Sequence, residues 1–146
     1  MTVTKMTQTH LADVAELERL CFGEPWSVEA LGLLLTDAAV GFVCMEDGRA
    51  VAYAGMMITP FDAQVTNVAV HPQYRRRGLG RAVAEALIRE AEARALEQIS
   101  LEVRVSNTSA IALYQSLGFC ESGRRKNFYR NPAEDAHVML RDLTEK

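Results

Sequence analysis

The sequence predicts a mixed α/β fold in which a twisted central sheet of about six to seven strands is flanked by about four helices. Strand and helix patterns alternate between residues 64 and 117, an order that requires at least one parallel strand pair. At both ends of the chain, neighbouring strand patterns are joined by short turns, which indicates antiparallel hairpins. The length of 146 residues is typical of one domain, and we expect residues 1–146 to form a single domain.

The composition is that of a chain that folds around its own core. Hydrophobic residues make up 49% and charged residues 24%, a balance that argues against disorder and fibrous repeats. The net charge of −3 gives no general attraction to nucleic acid or to anionic lipid, so we expect neither as a partner. The longest apolar stretch, residues 50–58, is too short to cross a bilayer, and the polar start lacks a signal peptide. We therefore expect a cytoplasmic protein, and we expect a monomer or a weak dimer.

The cysteines and histidines indicate neither a disulfide framework nor a metal site. Cys21, Cys44 and Cys120 are odd in number and form no C-x-x-C pair. The three histidines are scattered, without cysteine or carboxylate partners at metal-ligand spacing, so we expect no metal. The adjacent carboxylates of Glu134 and Asp135 fall on opposite faces of a strand and are not expected to act together on one bond.

The first third of the chain predicts an edge strand and two helices. Residues 2–6 alternate weakly, as an edge strand does. A helix begins near Thr9, after which apolar residues and Glu18 recur at helical spacing. This helix ends near residues 23–25, and Ser27 is suited to cap a second, short helix over the leucines that follow.

The middle of the chain predicts three strands. Residues 40–45 and 49–58 are apolar strands joined by an Asp-Gly dipeptide, which favours a tight hairpin turn. A third strand covers residues 64–70 and ends at a His-Pro dipeptide. An antiparallel pair therefore precedes the alternating segment.

The remainder predicts two helices and three strands. Apolar residues four apart in a segment rich in alanine, leucine and glutamate support the longest helix. Gly118 is suited to end the last helix. The predicted ranges are a helix at 80–95, a strand at 99–105, a helix at 109–117 and closing strands at 119–130 and 135–143.

The strongest functional signal lies between the third strand and the longest helix. There the run HPQYRRRGLGR carries four arginines and two glycines. The macrodipole is positive at a helix N-terminus, so clustered cations are unfavourable there unless an anion binds. Gly78 and Gly80 allow backbone N–H groups to approach such an anion. The pattern predicts a phosphate site.

This run is neither of the two common phosphate loops. No Lys-Ser or Lys-Thr pair follows it, as a P-loop requires, and Val83 stands where G-x-G-x-x-G requires its third glycine. A solvated basic turn, whose glycines only allow a tight connection, is the alternative that the motif alone leaves open.

The motif R-x-x-G-x-G, directly after the strand TNVAV, resembles the coenzyme A pyrophosphate loop of the GNAT N-acetyltransferases, and the order of elements is similar over nearly the whole chain. The resemblance implies the GNAT fold and acetyl-CoA as cosubstrate. It also implies that loop amides hold the pyrophosphate and that the preceding strand runs beside the pantetheine arm, one of its amides polarising the thioester carbonyl. A strand end splayed from its neighbour would leave such amides free. The implied coenzyme A residues are Val68, Ala69 and Val70 on the strand and Arg75, Arg76, Arg77, Gly78, Leu79, Gly80 and Arg81 in the loop, with the amides those of Arg76 through Arg81.

Two further residues suit acid and base roles. In the strand LEVRV, Glu102 lies opposite the apolar side chains, where a solvated or arginine-paired glutamate is the commoner explanation. Tyr114 lies at the edge of the apolar stripe of the next helix, where a core aromatic is the commoner explanation. Acetyl transfer from a thioester to an amine uses both a base and an acid, and Glu102 and Tyr114 suit these two tasks.

This stretch is similar to the RimI-type ribosomal-protein alanine N-acetyltransferases. In the L-E-V-R, S-N and A-x-x-L-Y motifs of that family, the glutamate accepts a proton, the asparagine contacts coenzyme A and the tyrosine donates a proton; here these are Glu102, Asn107 and Tyr114. FGEPWS, near the acceptor side, and RRKNFYRNPAEDAHVM also match, although Phe128 replaces the first of two usual tyrosines. The resemblance implies acetyl transfer to a protein N-terminal α-amine, with the N-terminal alanine of ribosomal small-subunit protein eighteen as acceptor.

Other functions stay open at this point. The same chemistry on a small-molecule amine, or on a broader range of protein N-termini and lysines, fits the motifs, and so does a module that binds acyl-CoA without turnover. The pair of Glu102 and Tyr114 argues against the binding module, which needs neither acid nor base. No cysteine lies in an activated setting, so we expect direct transfer without an acyl-enzyme.

Overall fold

The computed structural model describes residues 1–144, which contain seven strands and four α-helices. The strands are β1 (Thr2–Lys5), β2 (Ala39–Glu46), β3 (Arg49–Ile58), β4 (Asp62–Val70), β5 (Gln98–Arg104), β6 (Cys120–Tyr129) and β7 (Glu134–Asp142). The helices are α1 (Leu11–Cys21), α2 (Val28–Leu31), α3 (Leu79–Ala93) and α4 (Thr108–Ser116). Short 3₁₀ segments lie at Gln8–His10, Gly32–Leu35 and Pro72–Tyr74.

The strands form one sheet in the order β1-β2-β3-β4-β5-β7-β6. Within residues 1–144, β4 and β5 are the one parallel pair, and the other neighbouring pairs are antiparallel. The β2–β3 turn has positive φ at Asp47 (51°) and Gly48 (79°), as the predicted tight hairpin requires. The mixed sheet predicted from the sequence is therefore confirmed, and β7 lies between β5 and β6.

The sheet separates two hydrophobic cores because successive side chains of a strand point to opposite faces. Helices α3 and α4 cover one face, where Val83, Leu87 and Tyr114 are buried. Helices α1 and α2 cover the other face, where Val14 and Leu31 are buried. Apolar stripes at helical spacing explain both packings. In the described part of the chain, no helix is long and apolar enough to cross a membrane.

Two elements differ in detail from the predictions. Strand β4 begins at Asp62 rather than at residue 64, because the Thr59 N–H donates to the Asp62 carbonyl at 2.9 Å and closes the preceding turn. Ser27 caps α2 as predicted, accepting a hydrogen bond from the Ala30 N–H at 3.1 Å. That helix then changes to 3₁₀ geometry at Gly32, so one expected helix is two short segments.

Candidate active site

The parallel strands β4 and β5 separate partway along their length. Their pairing covers Asp62 to Gln64 of β4 and stops at Ser100 of β5. Beyond it, the register between β3 and β4 shifts by one residue, which leaves Thr66 as a bulge. A bulge bends its strand, so the carboxyl end of β4 turns away from β5. The splayed strand end that would leave backbone amides free is present.

The splayed end of β4 holds the three strand residues implied for coenzyme A. Val68, Ala69 and Val70 remain paired with β3 on their other side. The Val70 carbonyl accepts hydrogen bonds from Arg75 Nε at 3.2 Å and Cys21 Sγ at 3.4 Å. The pantetheine contact stays a prediction, but this strand edge is open to an extended ligand because β5 has left it.

The loop after β4 has the backbone shape of an anion cradle. Arg76 and Gly78 have positive φ values of 67° and 78°. Glycine adopts this left-handed conformation freely, whereas for an arginine it costs on the order of 1 kcal/mol. Turns of this kind aim successive N–H groups into one concavity, which suits an anion.

Helix α3 begins directly after this loop with its N-terminus uncapped by any side chain. Gly78 is the N-cap, and the first turn contains no acidic residue. The N–H groups of Leu79, Gly80 and Arg81 therefore have no intrahelical acceptor, and the helix dipole adds positive potential beside them. A Cβ added at Gly80 would lie 3.5 Å from Val70 Cγ2 and 3.7 Å from Leu113 Cδ2, so this turn faces both the end of β4 and helix α4.

The arginine side chains of the loop are mostly tied to the protein. Arg75 binds the Val70 carbonyl, Arg77 lies 5.1 Å from the centre of the Tyr74 ring, and Arg81 donates to the Ser116 hydroxyl. None of the loop arginines takes part in the ion pairs formed within residues 1–144. Their positive charge thus stays uncompensated by carboxylates, and the anion contact of the backbone amides stays a prediction.

Glu102 lies on β5 beyond the point where the strands separate. Its carboxylate accepts hydrogen bonds from Gln64 Nε2 at 3.1 and 3.2 Å and lies 3.4 Å from Arg125 Nε. The side chain is 11% exposed, which is far from the solvated surface residue that a lone strand glutamate usually is. An arginine partner is present, as the simpler explanation held, but the partly buried position also suits a base that water can reach.

Tyr114 on α4 is nearly buried, at 8% exposure, with its ring against Phe119. Burial, and secondarily the charge of Tyr129, raises the pKa of Tyr114, so its hydroxyl stays protonated at neutral pH. Burial and the Glu102 charge raise the pKa of Tyr129 to about 12. Tyr129 thus lies close enough to affect Tyr114 and to be affected by Glu102, and its ring centre is 4.4 Å from Cζ of Arg104, two residues from Glu102 on β5. The catalytic roles of Glu102 and Tyr114 stay predictions.

Asn107 caps helix α4. Its side-chain oxygen accepts hydrogen bonds from the Ala110 N–H and from the Ser109 hydroxyl, each at 3.3 Å. The sequence allowed either Asn107 or Ser106 in this role, and the cap is Asn107. The coenzyme A contact that the resemblance implied for Asn107 stays a prediction.

The loop between α1 and α2, which carries the matched FGEPWS segment, contacts the connection between β6 and β7. A Cβ added at Gly23 would clash with the Asn131 carbonyl oxygen, so glycine is required for this close approach. The segment around Trp26, which the resemblance places near the acceptor, is thereby joined to the segment that follows Tyr129.

Glu18 is a buried carboxylate in this region that sequence reasoning did not single out as functional. It is fully buried and accepts hydrogen bonds from the Trp26 N–H, the Tyr53 hydroxyl and Asn67 Nδ2. Burial raises the pKa of Glu18, although these three donors oppose the shift. A charged residue at helical spacing within the apolar stripe of α1 was the available signal.

An uncapped helix N-terminus beside a splayed strand end suits a ligand that carries an anionic group and an extended arm. The family model described as the acetyltransferase (GNAT) family matches residues 11–119. The chain therefore belongs to the GNAT acetyltransferase family, and the enzyme is an acetyltransferase.

Particular relatives refine this assignment. The chain is 37% identical to the [ribosomal protein bS18]-alanine N-acetyltransferase of Escherichia coli, over 94% of this chain and 95% of the relative. It is 34% identical to the N-alpha-acetyltransferase RimI of Mycobacterium tuberculosis, over 97% and 92% of the two chains. The crystal structure of the ribosomal-protein-S18-alanine N-acetyltransferase from Escherichia coli superposes with a TM-score of 0.91 at 35% identity, covering 99% of this chain and 95% of that one. The RimI-type resemblance and the fold inferred from the sequence are confirmed.

Proposed function

We propose that the protein transfers an acetyl group from acetyl-CoA to the N-terminal α-amine of a protein, with the N-terminal alanine of ribosomal protein bS18 as acceptor. One observation carries the proposal: the uncapped turn at Gly80 faces both the splayed end of β4 and helix α4, which bears Tyr114. The acceptor is inferred from relatives whose names specify the alanine of ribosomal protein bS18. A ribosomal acceptor would place the reaction in the cytoplasm.

The anion cradle suits the pyrophosphate of acetyl-CoA. The first-turn amides of α3 and the left-handed residues before them offer N–H donors, and the loop arginines add positive charge. The splayed edge of β4 suits the extended pantetheine arm, whose amides pair with an open strand. This arrangement would bring the thioester toward Glu102, Tyr114 and Tyr129.

In the proposed reaction, the acceptor nitrogen forms a bond to the acetyl carbon as the bond between that carbon and sulfur breaks. The amine proton passes to Glu102, directly or through a water, and the Tyr114 hydroxyl gives its proton to the departing sulfur. Because its raised pKa keeps Tyr114 protonated, the hydroxyl is ready to act as the acid. The proton held by Glu102 then returns to Tyr114 through solvent, which restores both groups.

The α-amine of a protein N-terminus needs a weaker base than a lysine amine does. An α-amine has a pKa near about 8, so a fraction is neutral at pH 7, whereas a lysine amine near about 10.4 is almost entirely protonated. A single partly buried carboxylate is therefore sufficient for an α-amine. The lower pKa of an α-amine therefore favours an N-terminal acceptor over lysine side chains.

The test compares acetyl transfer from acetyl-CoA to three acceptors, with mass spectrometry locating the added group. The acceptors are the bS18 N-terminal peptide, the same peptide with a blocked α-amine, and free polyamines. We expect acetylation at the N-terminal alanine and little on the other two acceptors. Faster acetylation of the free amines, or of lysines in the blocked peptide, would overturn the proposed acceptor. Binding of acetyl-CoA without turnover of any amine would contradict transfer itself.

A further inference from the structure

The buried carboxylate of Glu18 lies where three separate parts of the fold meet. Oε1 accepts a hydrogen bond from the Trp26 N–H at 2.8 Å, and Oε2 accepts hydrogen bonds from Asn67 Nδ2 at 2.9 Å and from the Tyr53 hydroxyl. Trp26 belongs to the α1–α2 loop, Tyr53 to β3 and Asn67 to β4. In residues 1–144, Glu18 is the one charged side chain in the buried class.

The donors of this cluster adjoin the cleft on its acceptor side. Asn67 immediately follows the bulge at Thr66 and precedes Val68, so its hydrogen bond holds β4 just where the strand turns away from β5. Tyr53 pairs in register with Ala69 on the same part of β4. Glu18 therefore links the position of the α1–α2 loop to the position of the splayed strand.

The α1–α2 loop is held at its other end by the β6–β7 connection. Gly23 contacts the Asn131 carbonyl so closely that a Cβ would not fit. The α1–α2 loop is thus tied to Glu18 through Trp26 and to the segment after Tyr129 through Gly23. If the carboxylate were lost, the Trp26 N–H and the Asn67 amide would each lose an acceptor in a partly buried place, where a donor without a partner is unfavourable.

We propose that Glu18 is a positioning residue for the acceptor: its carboxylate fixes the α1–α2 loop against β4, which sets the width of the cleft in which the acceptor amine meets the thioester. Glu18 itself is fully enclosed and touches no reactant. The inference rests on the proposed function, because that function assigns the acceptor to this side of the cleft.

The test combines two measurements on Glu18→Ala, Glu18→Gln and a matched control. Glu16→Ala is the control, because Glu16 lies on the same helix but is exposed and pairs only with Arg19 among residues 1–144. The first measurement needs no substrate: Trp26 is the single tryptophan of the chain, so its fluorescence reports on the loop alone. We expect Glu18→Ala to increase acrylamide quenching of Trp26, and Glu16→Ala to leave it unchanged.

The second measurement is steady-state kinetics with the bS18 N-terminal peptide. Glu18→Ala removes the acceptor of all three hydrogen bonds, and we expect it to raise the KM for the peptide about tenfold, with the KM for acetyl-CoA changed less than twofold. Glu18→Gln keeps one oxygen for the Trp26 N–H, and its amide nitrogen can donate to the Tyr53 hydroxyl. Only Asn67 Nδ2 then loses its acceptor, so we expect a smaller rise. This graded rescue separates positioning from general loss of structure.

Several results would overturn the proposal. One is an equal rise in the KM for the peptide and the KM for acetyl-CoA. Another is a folded Glu18→Ala variant whose KM for the peptide equals that of the wild-type enzyme. If Glu18→Ala does not fold, Asn67→Ala replaces it, because that variant removes one of the three donors and leaves the carboxylate; an unchanged peptide KM then counts against the proposal. If the wild-type enzyme binds acetyl-CoA but acetylates no peptide, the proposed function fails, and the positioning role of Glu18 fails with it. Quenching of Trp26 fluorescence would still show whether Glu18 holds the α1–α2 loop.

Discussion

The Tyr114 hydroxyl has no hydrogen-bond partner within residues 1–144, although the side chain is nearly buried. A buried tyrosine usually directs its hydroxyl to a partner in the protein, so a hydroxyl without one is available to a ligand. Glu102 is the opposite case, because Gln64 and Arg125 already bind its carboxylate. These two contacts hold the Glu102 carboxylate in one orientation, as a base requires before the amine arrives.

Replacing Tyr114 with phenylalanine tests the acid. We expect kcat to fall by about a hundredfold or more, the usual contribution of a general acid, because the departing sulfur would have to take its proton from water. Binding of acetyl-CoA, measured by calorimetry, should change little, since the hydroxyl acts in the transition state. Unchanged turnover in the folded variant would remove Tyr114 from the mechanism.

Replacing Glu102 with glutamine tests the base. We expect kcat to fall by about a hundredfold or more at pH 7, and the remaining activity should rise with pH toward about 8, as more of the α-amine becomes neutral. Glu97→Gln serves as control, because this exposed carboxylate lies just before the same strand. A Glu102→Gln enzyme with wild-type rates across this pH range would show that another group accepts the proton.

At the residue scale, sequence patterns located candidates whose surroundings are local in the chain. Strand alternation placed Glu102 away from the core, and helical spacing placed Tyr114 on the buried stripe. The partners of Glu18 could not be predicted in this way. Tyr53 and Asn67 lie on distant strands, so its hydrogen bonds exist only once the sheet has formed.

The elements that build the cleft follow from one irregularity in β4. The bulge at Thr66 bends the strand, the splay exposes its edge, and the loop after Val70 then leads into the uncapped start of α3. The strand, the loop and the helix were each predicted from the sequence, with bounds close to those observed. The position of the bulge was not, because it depends on the register between β3 and β4, which no local pattern in TNVAV indicates.

Replacing Gly80 with alanine tests the cradle at this scale. The added Cβ would make only ordinary van der Waals contacts with Val70 and Leu113, and alanine favours helix, so we expect unchanged or slightly higher thermal stability. The same methyl group would enter the groove between β4 and α4, and we expect the dissociation constant for acetyl-CoA to rise about tenfold, equivalent to about 1.4 kcal/mol.

The control for this substitution is Gly32→Ala. Gly32 has open space around its Cβ position and lies in the α2 region, on the other face of the sheet. We expect it to leave acetyl-CoA binding unchanged. Equal affinities in Gly80→Ala and wild type, measured by calorimetry, would place the coenzyme away from this turn.

At the scale of the whole molecule, the final hairpin completes the site. Because β7 inserts between β5 and β6, the β6–β7 connection reaches the end of β5. There Arg104 donates to the Arg130 and Pro132 carbonyls, and its Cζ lies 4.4 Å from the centre of the Tyr129 ring. Two closing strands were predicted, but their order in the sheet was not, since both strand patterns fit either position. The junction is held by Glu134, which accepts hydrogen bonds from the Ser106 N–H at 2.7 Å and from Arg104 at 3.2 Å.

The junction at Glu134 predicts how stability depends on pH. Hydrogen bonds from Ser106, and then the contact with Arg104, hold the pKa of Glu134 below its ordinary value of 4.5. A carboxyl whose pKa is lowered by folding stabilises the protein above its unfolded pKa, and this contribution is lost as the pH falls through the folded pKa. We therefore expect wild type to have a higher free energy of unfolding than Glu134→Gln at pH 7 in urea titrations.

The difference should shrink once the pH falls below 4.5 and disappear at still lower pH, while Glu97→Gln follows wild type throughout. The difference in the free energy of unfolding between wild type and Glu134→Gln could instead stay constant from pH 7 to pH values well below 4.5. In that case the shape of the Glu134 side chain, and not its ionisation, links β7 to the end of β5.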